Sequence, residues 1–235
     1  MTVNKFTGIF MAIFIAGVLT VSLIQDAAKH KTGEQPFAAT NTITDASAWL
    51  VSPEPLIEGK NNEKIRPLIG SMSGAVAVHY RGPKNIVAIG LEYWKGGVKT
   101  GTSNGLSMTL MDQEKDKQGN YIFDGHIVYS LQDRSDPNRS GIAYRELVYA
   151  IVSPNGYVSS TFKVDIPEGI KMWSGIQLPQ ETKVPLDEST TVWGVQGTDQ
   201  QQMSSYSSPT ETLQRADWAM SVRLGFNDSD HTAAK

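Results

Sequence analysis

From Gly70 to Phe226, apolar residues recur at every second position in run after run, and this period of two limits the fold more than any other feature. Val76, Val78 and Tyr80 alternate with Ala77 and His79. After the turn Arg81-Gly82-Pro83-Lys84, the residues Val87, Ile89, Leu91 and Tyr93 form one face, and Lys95-Gly96-Gly97 ends the run. Leu106, Met108 and Leu110 follow, then Tyr121, Phe123, Ile127, Tyr129 and Leu131 on one face of a long strand. Leu147 to Val152 is apolar on both faces and reads as central.

Ser153-Pro154-Asn155-Gly156 predicts a hairpin turn, because proline pre-sets φ and the following glycine accepts a left-handed backbone. Val158, Ser160, Phe162 and Val164 continue on the returning strand, and Thr191-Val192-Trp193 is a shorter candidate. Trp218, Met220, Val222, Leu224 and Phe226 give the cleanest alternation. Thr210 to Ala216 holds good helix formers, yet period two makes the run after it the closing strand. A sheet with one apolar face must bury it on a second sheet. Eight or so strands with no long amphipathic helix therefore predict a mostly β fold, an antiparallel sandwich or jelly-roll-like domain.

The N-terminus has a different pattern. Phe6 to Ile24 carries no charge over nineteen residues, about 28 Å as a helix, which matches a bilayer core. The expected organisation is a transmembrane anchor or uncleaved signal at 1–25 and a tether with an irregular edge segment at 26–64. A β-sandwich at 65–227 and a frayed tail at 228–235 complete it. Within the tether, Asp45 is expected to cap a helical turn through Leu50, with Trp49 packing onto the domain. A polar domain after an N-terminal apolar segment is expected outside the cytoplasm in a single-pass arrangement, although Lys5 on one side and Lys29 and Lys31 on the other nearly balance the positive-inside count.

Composition removes several function classes. With no cysteine, a disulfide framework, a zinc–thiolate site or a thiol nucleophile cannot exist. A net charge of −3 and scattered lysines and arginines argue against nucleic-acid binding, which needs a basic patch. No cofactor fingerprint or metal motif occurs.

The chemical motifs are weak. Ser160-Thr161-Phe162-Lys163 and Lys99-Thr100-Gly101 imitate β-lactamase elements, but in reversed order, and on a strand Ser160 and Lys163 point to opposite faces. The loop from Asp112 to Asn120 is acidic at alternate positions without a workable calcium-loop register, and Asp133, Asp136 and Asn138 make a second oxygen-rich stretch. Asp124 and His126 share a strand face, with His79 on another strand, which would suit acid–base chemistry if they converged. Trp94, Trp173 and Trp193, at strand ends or loops, are the candidate stacking platform for a polysaccharide. These features favour a non-catalytic module that binds a protein or an envelope polymer. A structural subunit of a pilus-like or virion surface assembly is the alternative, followed by an extracytoplasmic hydrolase.

Overall fold

A computed structural model describes residues 48–56, 68–70, 72–135, 142–165 and 167–229. The predicted anchor Phe6–Ile24 and most of the tether lie outside these residues. Among the described residues no helix is long and apolar enough to cross a membrane.

Among the described residues, eleven strands, one short α-helix and a 3-10 turn (Asp112–Glu114, between β4 and β5) follow one another as β1 (Ala48–Glu54), β2 (Met72–Gly82), β3 (Ile86–Lys95), β4 (Val98–Thr109), β5 (Tyr121–Ser135), β6 (Ile142–Ser153), β7 (Gly156–Val164), β8 (Met172–Gln177), β9 (Thr182–Pro185), β10 (Thr190–Thr198), α1 (Pro209–Arg215) and β11 (Trp218–Asn227). They form two sheets, one of six strands in the order β7-β6-β5-β2-β1-β9 and one of five in the order β4-β3-β11-β10-β8. Every pairing is antiparallel. The fold is mostly β, two antiparallel sheets packed together as in a β-sandwich. In the wiring, β2 pairs with β5 in one sheet while β3 pairs with β4 in the other, so these four strands are a long hairpin folded over the core. The remaining same-sheet neighbours include the simple meander β5-β6-β7.

The alternation seen in the sequence builds the core directly. Val76, Val78, Tyr80, Phe123, Ile127, Tyr129, Leu147 and Ile151 of the six-stranded sheet meet Val87, Ile89, Leu91, Trp193, Val195, Met220, Val222 and Leu224 of the other. Aromatic rings lock the layers: Tyr129 stacks on Trp193 at 5.0 Å between centroids, and Tyr80 stacks on Phe226 at 3.7 Å. Such fully buried large side chains each contribute about 1.5–3 kcal/mol of transfer free energy.

Of the helical turn expected from Asp45 through Leu50, Asp45 lies outside the described residues and Ala48–Leu50 are strand instead. β1 runs inside the six-stranded sheet, pairing with β2 through Leu50↔His79 and Val51↔Val78 and with β9 through Trp49↔Val184. The physical reason is burial: Trp49 and Val51, two positions apart, are both fully buried, and only an extended backbone places both on one face. Trp49 does pack onto the domain, edge-on to Phe226. Pro53 and Pro55 sit where the ladder ends, so a stretch read as irregular edge is partly ladder.

The five-stranded sheet has a cover on its outer face. Ser208 caps α1 by accepting the Glu211 backbone N–H at 3.1 Å, and Pro209 occupies the first turn, where no N–H is needed. Leu213 and Ala216 then bury against Ile176 and Ala219, with Trp94 packed beside them. The turn Gly96-Gly97, with φ of +56° and +73°, points its two N–H groups at the carbonyls of Asp217 and Ala216 at 2.8 and 2.9 Å. Only glycine suits this turn, since a Cβ on Gly97 would lie 2.0 Å from the Gln214 carbonyl oxygen.

Candidate functional site

The three tryptophans do not form a platform. Trp193 is fully buried against Tyr129, so no ligand can stack on it. Trp94 lies on the opposite face of the same sheet among the residues under α1. Trp173 crosses Trp218 edge-on at 5.2 Å, and the Arg145 guanidinium sits 4.5 Å from its ring centre. Arg145 is itself tied to Asp133 at 2.7 Å, so this cluster plugs one end of the core. Strand-end position in the sequence misled here because two of the three sit on opposite faces of one sheet.

The oxygen-rich loops are spent on the protein itself. The Asp116 carboxylate accepts the backbone N–H groups of Gln118 and Asn120 and pairs with Arg81 at 2.5 Å. Burial works against its ionisation, but these hydrogen bonds, led by Asn120, hold its pKa below the ordinary value. Asp112 is likewise held low by Lys115 and Tyr121. Asp136 and Asn138 lie outside the described residues. Ser160 is in register with Tyr149 and Lys163 with Glu146, on opposite faces of β7, so the lysine cannot serve the serine.

The geometry that does assemble functional groups is the outer face of the six-stranded sheet. His79 on β2 stands opposite Asp124 on β5 in register, and its Nδ1 lies 2.9 Å from the carboxylate. His126 does not join them. Its Nε2 lies 2.9 Å from Glu54 at the end of β1, so this pair reaches across the intervening strand. The reach is possible because β2 presents only Ala75 and Ala77 at that point, opposite Glu54 and His126 respectively. Two residues along the ladder from the His79–Asp124 pair, Ala77↔His126↔Val152↔Tyr157 forms a continuous row, and Tyr157 is 72% exposed. Ile122, 37% exposed, shares this face one pair beyond Asp124.

The Asp124 hydrogen bond raises the His79 pKa above its ordinary value; partial burial opposes this, and the carboxylates of Glu181 and Glu54 add to the rise. Beside Glu54 a cavity of about 240 Å³ opens at the sandwich end, lined by Pro53, Leu56, Ser73, Tyr129 and Leu178 among others. Burial pushes the Tyr129 hydroxyl up to about 12, which keeps it a neutral hydrogen-bonding group.

Chemically, this face offers two imidazole–carboxylate pairs, an exposed phenol ring and a shallow apolar floor. Both histidine pairs are open to water, with His79 and Asp124 side chains 38% and 60% exposed. Acid–base catalysis draws its strength from a site that expels water, and a flat sheet face does not do so. Among the described residues, no group of three histidine or carboxylate side chains is placed to hold a metal ion. Glu54 and Tyr157 were missed from the sequence, Glu54 because it lies between two prolines and Tyr157 because it sits beside a turn. The chain matches no protein-family model, no curated protein and no solved structure.

Proposed function

We propose that this chain is a non-catalytic recognition module, tethered to a membrane by Phe6–Ile24 and displayed outside the cytoplasm, that binds a protein or an envelope polymer through the outer face of its six-stranded sheet. The observation that carries this reading is the row His126–Val152–Tyr157 beside the His79–Asp124 pair. There, hydrogen-bonding groups and an exposed aromatic ring share one sheet face that no other described element covers. A flat face of this kind suits an extended or broad partner better than a small enclosed ligand. The apolar N-terminal run supports the tether, because its length and lack of charge fit a bilayer.

Photocrosslinking tests the surface. A photoreactive residue in place of Tyr157 or Val152 in the full-length chain is expected to trap a discrete partner in intact cells, and one in place of Thr100 on β4 is not. Equal trapping from both sheets would remove the face from consideration. Placement is tested by adding protease to intact cells: digestion of the domain is expected, and protection until lysis would sink the exported arrangement.

A further inference from the structure

We propose that Asn155 is a self-modifying site, converted to aspartate and isoaspartate by its own backbone without an enzyme. The inference concerns the β6–β7 turn and stands independently of any partner for the sheet face.

Asparagine followed by glycine occurs twice in the chain, at Asn104-Gly105 and at Asn155-Gly156. The reaction is attack by the glycine backbone nitrogen on the asparagine Cγ. A C–N bond forms, the Cγ–Nδ2 bond breaks, and ammonia departs with the proton from the Gly156 N–H. Water then opens the cyclic imide at either carbonyl and restores the N–H, so water is the only co-reactant. Glycine favours this step because it has no Cβ to obstruct the ring.

The two sites differ in freedom. Asn155 is the second residue of the two-residue turn between Ser153 and Gly156, it is exposed, and nothing lies within 4 Å of where a Gly156 Cβ would stand. Gly105 lies within β4, where a Cβ would stand 2.6 Å from the Ile89 carbonyl oxygen and 3.2 Å from the Tyr149 hydroxyl. Gly105 is a bulge between the pairs Asn104↔Gly90 and Leu106↔Ile89, so ladder on both sides must open locally before the backbone there can bend into a five-membered ring, whereas Gly156 belongs to the last pair of its hairpin, with Ser153.

The product has a structural consequence. Asn155 Nδ2 donates to Glu114 Oε1 at 3.0 Å, tying the β6–β7 turn to the loop after β4. Conversion replaces that donor with a carboxylate facing another carboxylate, which breaks the tie and adds negative charge next to Tyr157.

The experiment is incubation of the full-length protein at neutral pH in ¹⁸O-labelled water, with peptide mapping over time. Label is expected at residue 155 at least ~tenfold faster than at residue 104, because residue 104 lies inside a ladder paired on both sides, whereas residue 155 lies in an exposed turn closed only by the terminal Ser153↔Gly156 pair. An Asn155→Gln variant should show no label there. Aged protein and an Asn155→Asp variant should both show faster amide exchange at residues 112–116, since each lacks the Asn155–Glu114 hydrogen bond. The urea-unfolded chain supplies the unrestrained rate at both positions. Equal labelling of the two sites in the folded protein overturns the proposal. So does an unlabelled Asn155 after a time in which the unfolded chain has converted.

Discussion

The outer faces of the two sheets carry similar residues and meet different fates. On the five-stranded sheet, Ser221, Gln196 and Ala219 look like solvent-facing partners of Val222, Val195 and Met220, yet all three are buried. On the six-stranded sheet, Ala77, Val128 and Ala150 occupy the equivalent outward positions and stay partly open. Outward polarity therefore does not report exposure in this protein. What separates the faces is cover: among the described residues, a seven-residue helix and the loop leading to it lie over one face and no helix lies over the other. A small residue such as Ala219 serves under the helix because a larger one would hold the helix away from the sheet.

If this comparison is right, perturbing the core should cost most, the cover nearly as much, and the bare face little. Trp193→Ala is expected to cost about 3–5 kcal/mol, since it removes a fully buried ring stacked on Tyr129. Urea unfolding of the variant measures it, and a cost below 1 kcal/mol would mean that the sheets do not share one core (~ the threshold set by surface substitutions).

Leu213→Ala should cost about 2–4 kcal/mol if α1 is integral to the five-stranded sheet. The same truncation on the bare face, Val128→Ala, is expected to cost about 1 kcal/mol or less. Similar costs for the two would erase the distinction between covered and open faces.

Glycine substitutions sharpen the same point. Gly96→Ala and Gly97→Ala both force a side chain onto a positive φ, at about 1–2 kcal/mol each. Only Gly97→Ala also drives a Cβ into the Gln214 carbonyl, so it should be the more destabilising by thermal melting.

The smallest expected effect is pH-dependent. Because Asp124 raises the His79 pKa from its ordinary 6.5, the pair adds stability below that value and loses it as pH rises through the higher folded pKa. His79→Gln should therefore destabilise by a few tenths of a kcal/mol at about pH 5, and by less at about pH 8, given the exposure of both partners. An effect that grew with pH would contradict the assignment.

The sequence made the strands legible wherever one face was apolar and the other was not. The alternation in β2, β3, β5 and β11 translated directly into buried positions. Strand β1 was obscured because prolines 53 and 55 resemble loop residues, and nothing local announces that Trp49 and Val51 will meet a sheet assembled from later strands. Strand β10 showed only its first residues, since burial on both faces erases the period. For the candidate site, the shared face of Asp124 and His126 was readable. Which carboxylate each histidine meets was not, because register between distant strands is fixed by the whole core rather than by neighbours in sequence.

The pairing of β3 with β11 runs from Ile86↔Asn227 to Lys95↔Trp218, so the middle of the five-stranded sheet joins segments that lie far apart in the chain, with seven strands between them. During synthesis β3 waits with one open edge until β11 has emerged, and such an edge accepts strangers as readily as its proper neighbour. A chain shortened before Trp218 should thus be sticky rather than merely weak. Quality control of this fold then falls on β11.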